Sequence, residues 1–458
     1  MGVVVSPAIF RAYDIRGIVD RELTVAVYEV LGRAAGAYFQ RSQRRRIVVA
    51  HDARLTSPAF AASLIHGLRA GGCDVIDIGM APTPLMYFAV SSLGADGGAV
   101  VTASHNPPEF NGLKLRVSDP VYGGEPLSSQ ALRQVAALAL GDALPDVVPA
   151  GGYEQRDMTA AYIADVATHF RLARPVRVVL DGGNGVAGPL GVRTLEAIGC
   201  EVVPLYIEPD GRFPNHHPDP LKEENLRDLK ARVVEVGADL GVSLDGDGDR
   251  LGVVDGSGAM VFADRTMIVL ARDALAAGPA PVVFDVKCST VLRDAIRAFG
   301  GTPVMWKTGY TNGSQKMREL GAPLAGELSG HIFARLPHHH CDDGTVAACW
   351  LLAALERSGQ SLAEALAPYP PLPSVPEDRL DYPEDRKFAA VDYVRDRLSP
   401  HYDVTRIDGV RIDFPDGWGL IRASNTESVI TTRFEAHTPE RVAEIRALII
   451  DALNEFRR

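Results

Sequence analysis

The sequence predicts an α/β protein of four domains: three similar mixed α/β domains and a C-terminal α+β domain with an antiparallel sheet. Two observations lead to this prediction. Short apolar segments alternate with helix-length amphipathic segments over most of the 458 residues, which is typical of α/β domains. A proline-rich stretch then precedes a region in which strand-like segments follow one another. A chain of this length is also too long for one ordinary core.

The first domain is predicted over residues 1–150. Its strand-like segments are residues 47–50, 74–78 and 98–103, and its helix candidate is residues 57–70. Residues 140–153 contain Pro145, Pro149 and a Gly-Gly pair, which favour a linker over a further helix or strand.

The second and third domains, predicted over residues 151–256 and 257–367, repeat this alternation. The second has strand candidates at residues 176–181, 201–206 and 238–244, and helix candidates at residues 190–199 and 223–236. The third has them at residues 282–285, 290–299 and 303–306. The boundary between them, near residue 256, has little compositional marking and is placed by the repeat of the pattern.

The fourth domain is predicted over residues 368–458. It begins with five prolines in the nine residues 368–376, which cannot continue a helix or donate to a central sheet ladder, so this segment is interpreted as a hinge or linker. The candidate elements beyond it are residues 385–398, 409–414, 418–423, 428–434 and 439–456. Strands grouped between two helices favour a small antiparallel sheet.

The composition excludes several classes of function. A net charge of −11 and a pI of about 5.6 argue against a nucleic-acid-binding protein, because phosphate backbones require a basic face. The five cysteines form no CxxC pair, and a signal peptide or membrane span of ~18 apolar residues is not evident. We therefore expect a soluble, cytoplasmic protein with reduced thiols.

Two motifs that follow apolar segments predict phosphoryl transfer at a divalent metal. Ser104, with His105 beside it, is the best nucleophile candidate, and Lys114 could place a cation nearby. In the second motif three aspartates alternate with glycines, and in an extended segment they would share one face. These residues are Asp245, Asp247 and Asp249, followed by Arg250. Their hard oxygen donors suit Mg²⁺.

Each motif has a simpler interpretation. An EF-hand loop is rejected because Arg250 stands at its sixth position and Gly256 at its twelfth, where glycine and glutamate are needed. A solvent-exposed acidic turn remains an alternative, although chemistry in α/β sheets lies at the carboxyl ends of strands. Ser104 could instead be a helix N-cap, and it lacks the G-x-S-x-G pattern of a hydrolase nucleophile.

Two further segments have the composition of ligand-binding loops. Glu327, Ser329 and His331 stand at alternate positions between glycines, which suits hydrogen bonding to a polyol. A polar hairpin is the alternative. The second segment supplies a guanidinium, two hydroxyls and an amide within five residues, a plausible oxyanion site, from Arg422, Ser424, Asn425 and Thr426.

The sequences TASHNP, DGDGDR, GELSGH and RASNT, in this order, resemble those of the α-D-phosphohexomutase superfamily, most closely its phosphomannomutase/phosphoglucomutase branch. The resemblance covers essentially the whole chain and implies that the four domains surround a central cleft. It implies that Ser104 carries a phosphoryl group, and that Mg²⁺ is bound by this group and the three aspartates. The phosphoserine would exchange its phosphoryl group with a hexose monophosphate through a hexose 1,6-bisphosphate.

The resemblance also implies roles for the other motif residues. Arg250 and Lys114 would offset charge near the phosphoserine, and His105 or Lys114 would handle the proton of the sugar hydroxyl. Glu327 and Ser329 would hold the 3- and 4-hydroxyls of the sugar. Further substrate and active-site positions would be Tyr13, Arg16, Lys287, Tyr310 and His331, with Arg422, Ser424, Asn425 and Thr426 binding the phosphate that is not reacting. The protein would be a monomer with small sugar phosphates as ligands.

Three alternatives stay open. A phosphoglucosamine mutase is less favoured because Leu328 and Asn425 replace the Gln and Gly common in that branch. Tyr310 departs from the usual His of the phosphomannomutase/phosphoglucomutase branch and puts one sugar contact in doubt. A non-catalytic sugar-phosphate-binding protein and a metal-dependent phosphatase are the alternatives from other classes.

Overall fold

The computed structural model describes residues 3–119, 124–141, 144, 149–424 and 428–457. Four sheets follow one another along the chain, the first three of mixed strand direction and the last antiparallel. The predicted fold class is confirmed. All five cysteines are buried and free, and no described helix combines the length and apolar composition needed to cross a membrane.

The first sheet has seven strands in the order β1-β5-β4-β2-β3-β7, with β6 beside β5. Its strands are β1 (Ile15–Ile18), β2 (Arg46–His51), β3 (Asp74–Met80), β4 (Gly97–Val101), β5 (Phe110–Val117), β6 (Glu125–Pro126) and β7 (Tyr153–Gln155). The helices of this region are α1 (Val25–Arg41), α2 (Ser57–Ala70), α3 (Thr83–Ser92) and α4 (Ser129–Leu140). Residue 153, placed in the linker on sequence grounds, instead begins β7, which pairs with β3 as an edge strand.

The second sheet has the order β12-β11-β10-β8-β9. The elements of this region are α5 (Thr159–His169), β8 (Val176–Asp181), α6 (Gly188–Ile198), β9 (Cys200–Leu205), α7 (Arg227–Val236), β10 (Leu240–Leu244), β11 (Leu251–Asp255) and β12 (Met260–Val261). A 3₁₀ turn at Glu223–Leu226 leads into α7.

The third sheet has the order β14-β13-β15-β16. Its region contains α8 (Ala263–Leu275), β13 (Pro281–Asp285), α9 (Thr290–Ala298), β14 (Thr302–Trp306), α10 (Tyr310–Leu320), β15 (Leu324–Gly326), β16 (Ile332–Ala334), α11 (Gly344–Ser358) and α12 (Leu362–Leu366).

The same four-strand arrangement occurs in all three of these sheets. A central strand (β2, β8 or β13) pairs in parallel with one neighbour on each side, and one of these neighbours begins an antiparallel hairpin. The hairpins are β4–β5, β10–β11 and β15–β16. The similarity predicted for the first three domains therefore extends to their strand pairing.

The fourth sheet is antiparallel, in the order β17-β21-β20-β19-β18. The elements are β17 (Ser374–Asp381), α13 (Lys387–Leu398), β18 (Asp403–Thr405), β19 (Val410–Phe414), β20 (Gly417–Ala423), β21 (Val429–Ala436) and α14 (Pro439–Arg457). The proline-rich segment is not a linker throughout, because β17 begins at Ser374. The strand tolerates proline because it lies at the edge of the sheet and its pairing is irregular between Val375 and Asp378.

The core is continuous through the first three domains, whereas the fourth has its own apolar cluster. The third and fourth domains meet through Val286, which packs against Trp418 and Leu420. Arg411, buried beside Trp418, donates hydrogen bonds to the carbonyls of Val286 and Cys288 at 2.8 and 3.0 Å. This interface fixes the fourth domain against the strand end that carries Lys287.

Helices α1 and α2 cross at glycines, and this crossing generates a stability prediction. A Cβ atom on Gly67 would lie 2.3 Å from the carbonyl oxygen of Glu29, whereas one on Gly313 in α10 would meet only the Phe333 ring at 3.4 Å. We expect Gly67→Ala to destabilise the protein by about 1–3 kcal/mol through overpacking. Gly313→Ala should instead stabilise it by up to about 1 kcal/mol through helix propensity.

Thermal denaturation followed by calorimetry would measure both variants against the wild type. A Gly67→Ala protein that unfolds at the same temperature as Gly313→Ala would contradict the close helix crossing.

Candidate active site

The loop that joins β4 and β5, residues 102–109, carries Ser104 near its start and is called the serine loop. Ser104 is 1% exposed, and its φ of +52° lies in the left-handed region that non-glycine residues rarely adopt. The hydroxyl donates a hydrogen bond to Oδ2 of Asp245 at 2.7 Å, and Nδ1 of His105 lies 3.1 Å from Oγ of Ser104. The strained backbone thus directs the serine toward the second domain.

The three aspartates lie in the turn of the β10–β11 hairpin. The extended segment expected from their alternate spacing is wrong, since residues 245–250 form a turn in which Gly248 has a φ of +81°. The turn still brings the carboxylates together, with candidate ligand oxygens within 4.8 Å of one another. A Cβ on Gly246 would lie 2.4 Å from the Ser104 carbonyl oxygen, so glycine is needed where the two loops touch.

One lysine contacts two of these buried carboxylates. Nζ of Lys114 lies 2.7 Å from Asp247 and 2.5 Å from Asp249, and all four groups are at most 3% exposed. Burial and the neighbouring carboxylates raise the pKa of Asp245 and Asp249. Burial acts in the same direction on Asp247, but Lys114 and Thr83 outweigh it and lower the pKa of that residue. Arg250 is a second cation beside the cluster, with Nε 3.9 Å from Oδ2 of Asp245, so among the described residues three carboxylates contact two permanent cations.

The donor set fits a divalent cation. Oδ1 of Asp247 and Oδ1 of Asp249 are buried with no hydrogen-bond partner among the described residues, which is costly unless another group satisfies them. Carboxylate oxygens with the serine oxygen beside them suit a hard cation such as Mg²⁺. Asp245, Asp247 and Asp249 could hold such an ion next to Ser104.

Arg250, at the end of this turn, is held by the third domain. Its Nε donates to Nε2 of His331 at 3.1 Å, and its backbone N–H donates to Asp245 at 3.1 Å. Nδ1 of His331 lies 2.8 Å from Oδ2 of Asp342. Burial lowers the pKa of His331, but Asp249 and Asp342 outweigh burial and raise it. The chain of contacts orients the guanidinium toward the serine.

The sugar-binding candidates lie in the turn of the β15–β16 hairpin. Oε1 of Glu327 accepts the N–H of Gly309 at 2.8 Å, and Oε2 accepts the Ser329 hydroxyl at 2.9 Å. Burial is the main cause that raises the pKa of the Glu327 carboxyl. The polar hairpin considered from the sequence is thus the observed backbone, and both carboxylate oxygens are already positioned by donors.

The first domain contributes two residues from the segment before β1 and from β1 itself. Arg16 donates to Asp14 at 2.9 Å and to Oδ1 of Asn106, in the serine loop, at 2.5 Å. The hydroxyl of Tyr13 donates to the Thr308 carbonyl at 3.4 Å. Tyr310, the departure from the resembled branch, donates its hydroxyl to the Tyr13 carbonyl at 3.2 Å.

At the end of the site formed with the fourth domain, here called the distal end, two cations are each paired with a carboxylate. Nε of Arg422 donates to Asp408 at 2.8 Å, and Asp408 also accepts the N–H of Thr308 at 3.1 Å. Lys287 lies 3.4 Å from Glu377. Ser424 is buried nearby, in the turn of the β20–β21 hairpin, whereas Asn425 and Thr426 lie outside the described residues.

A cavity of about 550 Å³ joins these groups and receives residues from all four domains. The sequence-predicted residues that line it are Tyr13, Arg16, His105, Arg250, Lys287, Tyr310, Glu327, Ser329, His331, Arg422 and Ser424. Those buried outside its lining are Ser104, Lys114, Asp245, Asp247 and Asp249. The central cleft implied by the resemblance is present.

Sequence reasoning missed the carboxylates that orient the cations of the site. These are Asp14, Asp342, Glu377 and Asp408. Only Asp14 had a usable signal, because it lies two residues before Arg16, a position that the resemblance names. The others pair with residues at least 11 positions away in the chain.

Four family models match successive parts of the chain. They are described as the α/β/α domains I, II and III and the C-terminal domain of phosphoglucomutase/phosphomannomutase, and they match residues 7–139, 160–258, 262–372 and 377–452. The chain belongs to the phosphoglucomutase/phosphomannomutase family. The sheets of the four matched regions are those described above.

Relatives in this family match the chain over nearly its whole length. A phosphomannomutase/phosphoglucomutase of Pseudomonas aeruginosa PAO1 is 42% identical over 97% of this chain and 95% of its own. A phosphoglucomutase of Neisseria gonorrhoeae is 37% identical over 96% and 95%. The crystal structure of a family protein from Burkholderia thailandensis is 39% identical, with a TM-score of 0.91 over 99% of this chain and 98% of that one.

The charge balance of the aspartate cluster generates a prediction for Lys114→Met. Asp247 and Asp249 would lose their contact with Lys114 while they remain buried, and we expect the metal-free protein to lose about 3–5 kcal/mol of stability. Thermal denaturation in EDTA would show this loss. Added Mg²⁺ should then raise the melting temperature more than in the wild type, because ligand binding stabilises the folded state.

Lys230→Met is the matched control, since Lys230 forms its ion pair with Glu223 at the surface. An unchanged melting temperature for Lys114→Met in EDTA would refute the proposed charge imbalance.

Proposed function

We propose that this chain is a phosphohexomutase that interconverts the 1- and 6-phosphates of glucose, mannose or both. The observation that carries the proposal is the position of Ser104, whose hydroxyl is 2.7 Å from Asp245 beside a cavity lined by four domains. A serine next to a metal-type carboxylate cluster suits phosphoryl transfer. The full-length similarity to proteins named phosphomannomutase/phosphoglucomutase supports the same conclusion.

In the proposed reaction the sugar hydroxyl attacks phosphorus of phosphoserine 104. A bond forms between phosphorus and the sugar oxygen while the bond between phosphorus and Oγ breaks, which gives the hexose 1,6-bisphosphate. In the second half, Oγ gives up its proton and bonds to the other phosphorus, the bond between that phosphorus and the sugar oxygen breaks, and the sugar oxygen takes up a proton as the isomeric monophosphate leaves. His105 accepts the hydroxyl proton, since it lines the cavity and lies 3.1 Å from Oγ.

Lys114 serves as a counter-ion in this proposal. Its Nζ is buried between Asp247 and Asp249, so it is not available to exchange a proton with the sugar. Asp245, Asp247 and Asp249 would hold Mg²⁺, which when bound offsets negative charge on the transferred group. Arg250 would add positive charge from the opposite side, where His331 orients it.

The hydroxyls of the sugar would bind to Glu327 and Ser329. At the serine end of the cavity, Arg16, Arg250 and His105 contact the serine loop or the aspartate turn, whereas the distal end contains Lys287, Arg422 and Ser424. A bisphosphate could present either phosphate to the serine while the other is held at the distal end. This arrangement supports a mutase over a simple hydrolase, and Asn425 and Thr426 would complete the distal end.

Leu328 and the predicted position of Asn425 favour glucose and mannose phosphates over glucosamine phosphate. Tyr310 uses its hydroxyl on the Tyr13 carbonyl, so we propose that it shapes the cavity rather than replacing the usual histidine contact. The domain limits 1–150, 151–256, 257–367 and 368–458 remain our proposal, as do a monomeric state and a cytoplasmic location.

³¹P NMR tests the proposed reaction directly. ³¹P NMR of the protein with Mg²⁺ and a trace of glucose 1,6-bisphosphate should show conversion of glucose 1-phosphate and mannose 1-phosphate to the 6-phosphates, with glucosamine 1-phosphate slower. Ser104→Ala should lower the rate by about 10³-fold or more, because no acceptor for the phosphoryl group remains.

The other hypotheses predict different spectra. Release of inorganic phosphate without isomer formation would indicate a phosphatase, and binding without turnover would indicate a non-catalytic protein. Fastest reaction of glucosamine 1-phosphate would support the phosphoglucosamine mutase alternative.

Glu327→Gln tests the proposed contact between this carboxylate and the sugar hydroxyls. An amide has one acceptor oxygen in place of two, so it cannot satisfy both the Gly309 N–H and the Ser329 hydroxyl while accepting a sugar hydroxyl. We expect kcat/KM for glucose 1-phosphate to fall by about 10²-fold.

Glu319→Gln, at an exposed carboxylate that pairs only with Lys316 in α10 among the described contacts, is the control and should leave kcat/KM unchanged. Equal kinetics for the two variants would exclude Glu327 from sugar binding.

A further inference from the structure

We infer that Arg54 is a positioning residue that holds the serine loop in its reactive conformation. Arg54 lies between β2 and α2, is 1% exposed, and does not belong to any motif of the sequence resemblance. The inference rests on the proposed function, because it concerns the loop that carries the phosphoryl group.

All five N–H groups of the Arg54 guanidinium are used. Nε donates to Oδ2 of Asp52 at 3.1 Å. Three of the remaining donors bind carbonyl oxygens of the serine loop, those of Ser104, Asn106 and Pro107, at 2.9, 2.6 and 2.7 Å. The fourth binds the carbonyl of Phe110, where β5 begins, at 3.0 Å. One buried side chain thus supplies the hydrogen-bond donors that a neighbouring strand would give to these carbonyls in a sheet.

This set of acceptors explains how the loop keeps an unfavourable backbone. Ser104 has a φ of +52°, a conformation that persists only where its surroundings determine it. Arg54 binds the carbonyl of Ser104 itself and the carbonyls of Asn106, Pro107 and Phe110, which follow it in the chain. A lysine at this position has one point of attachment and three rotating donors, so it cannot reproduce a planar fork between four acceptors.

The guanidinium is itself held from both sides. Oδ1 of Asp52 accepts the backbone N–H of Arg54 at 3.0 Å and the Ser57 hydroxyl at 2.6 Å. The second domain covers the other side, with the Phe213 ring 5.3 Å from the guanidinium carbon and Gly211 packed against the backbone. Arg54 therefore connects the serine loop to the same domain that supplies the aspartates.

Arg54 does not line the cavity, so it has no direct contact with a sugar phosphate bound there. Its effect must pass through the position of Ser104 relative to Asp245. A displacement of about 1 Å at a reacting atom lowers a rate by about 10²-fold. The structure consequently assigns Arg54 an effect on phosphoryl transfer and none on sugar-phosphate affinity.

The test compares Arg54→Lys with the wild type in the ³¹P NMR assay and in calorimetric binding of glucose 6-phosphate. We expect turnover to fall by about 10²-fold while the dissociation constant is unchanged. Arg54→Ala should be partly rescued by guanidinium chloride at tens of millimolar, but not by ammonium chloride at equal ionic strength, because only guanidinium restores the planar donors.

Arg69→Lys is the matched control, since Arg69 lies in α2 and donates from Nε to one carbonyl, that of Gly151. It should retain wild-type turnover. An Arg54→Lys enzyme with normal turnover, or one whose lost turnover is accompanied by an equal loss of glucose 6-phosphate affinity, would overturn the inference. Absence of rescue in a folded Arg54→Ala protein would do the same.

The wild-type measurement separates this inference from the proposed function. If the wild type forms no isomer, both fall together. If the wild type turns over and the two Arg54 variants match it, the inference alone fails. Arg54→Lys keeps the test decisive if the alanine variant does not fold.

Discussion

The structure depends on three carboxylates that are buried together with one lysine in contact. Lys114 comes from the first domain and the aspartates from the second, so the contact that limits the electrostatic cost also joins two domains. An unpaired buried charge costs about 3–5 kcal/mol, whereas an exposed ion pair contributes about 0–1 kcal/mol. The surface ion pairs of this chain therefore matter less to its architecture than this one cluster. Among the described residues, Oδ1 of Asp247 and of Asp249 also have no hydrogen-bond partner. A divalent cation would bind these oxygens and offset the excess negative charge of the cluster.

The site is built from four hairpin turns, one in each domain. The turns β4–β5, β10–β11, β15–β16 and β20–β21 carry the serine, the aspartates, Glu327 and Ser424 respectively. Within the first three domains each hairpin begins beside the central parallel strand, so a repeated strand order delivers a different chemical group to one cavity. A hairpin turn suits this use because its length and backbone conformation can change without altering the ladder that supports it. The functional differences between the domains are thus confined to a few residues per turn.

Much of this arrangement could be predicted from the sequence, because apolar segments ending in polar residues reveal strands and the loops that follow them. The prediction failed where local pattern was uninformative. Helix α3 is buried from Thr83 to Val90 and so has no polar face to give a helical period, and β18 is only three residues long. The alternate spacing of the aspartates indicated an extended segment, whereas Gly248 turns the chain and brings them together in another way. Arg54 and Asp408 carry no local signal at all, because their partners are set by tertiary structure.

The two ends of the cavity differ in charge balance, and this difference bears on how one cavity could accept either phosphate of a bisphosphate. At the distal end the cations Arg422 and Lys287 already have carboxylate partners, Asp408 and Glu377, so an arriving phosphate exchanges with or joins an existing pair. At the serine end the anions exceed the cations that contact them, and a phosphoryl group is accommodated only when a further positive charge is supplied. We therefore propose that a phosphate binds at the distal end without a metal, whereas the serine end needs the divalent cation that the three aspartates would hold. The geometry thus separates holding a phosphate from transferring it within a single cavity of about 550 Å³.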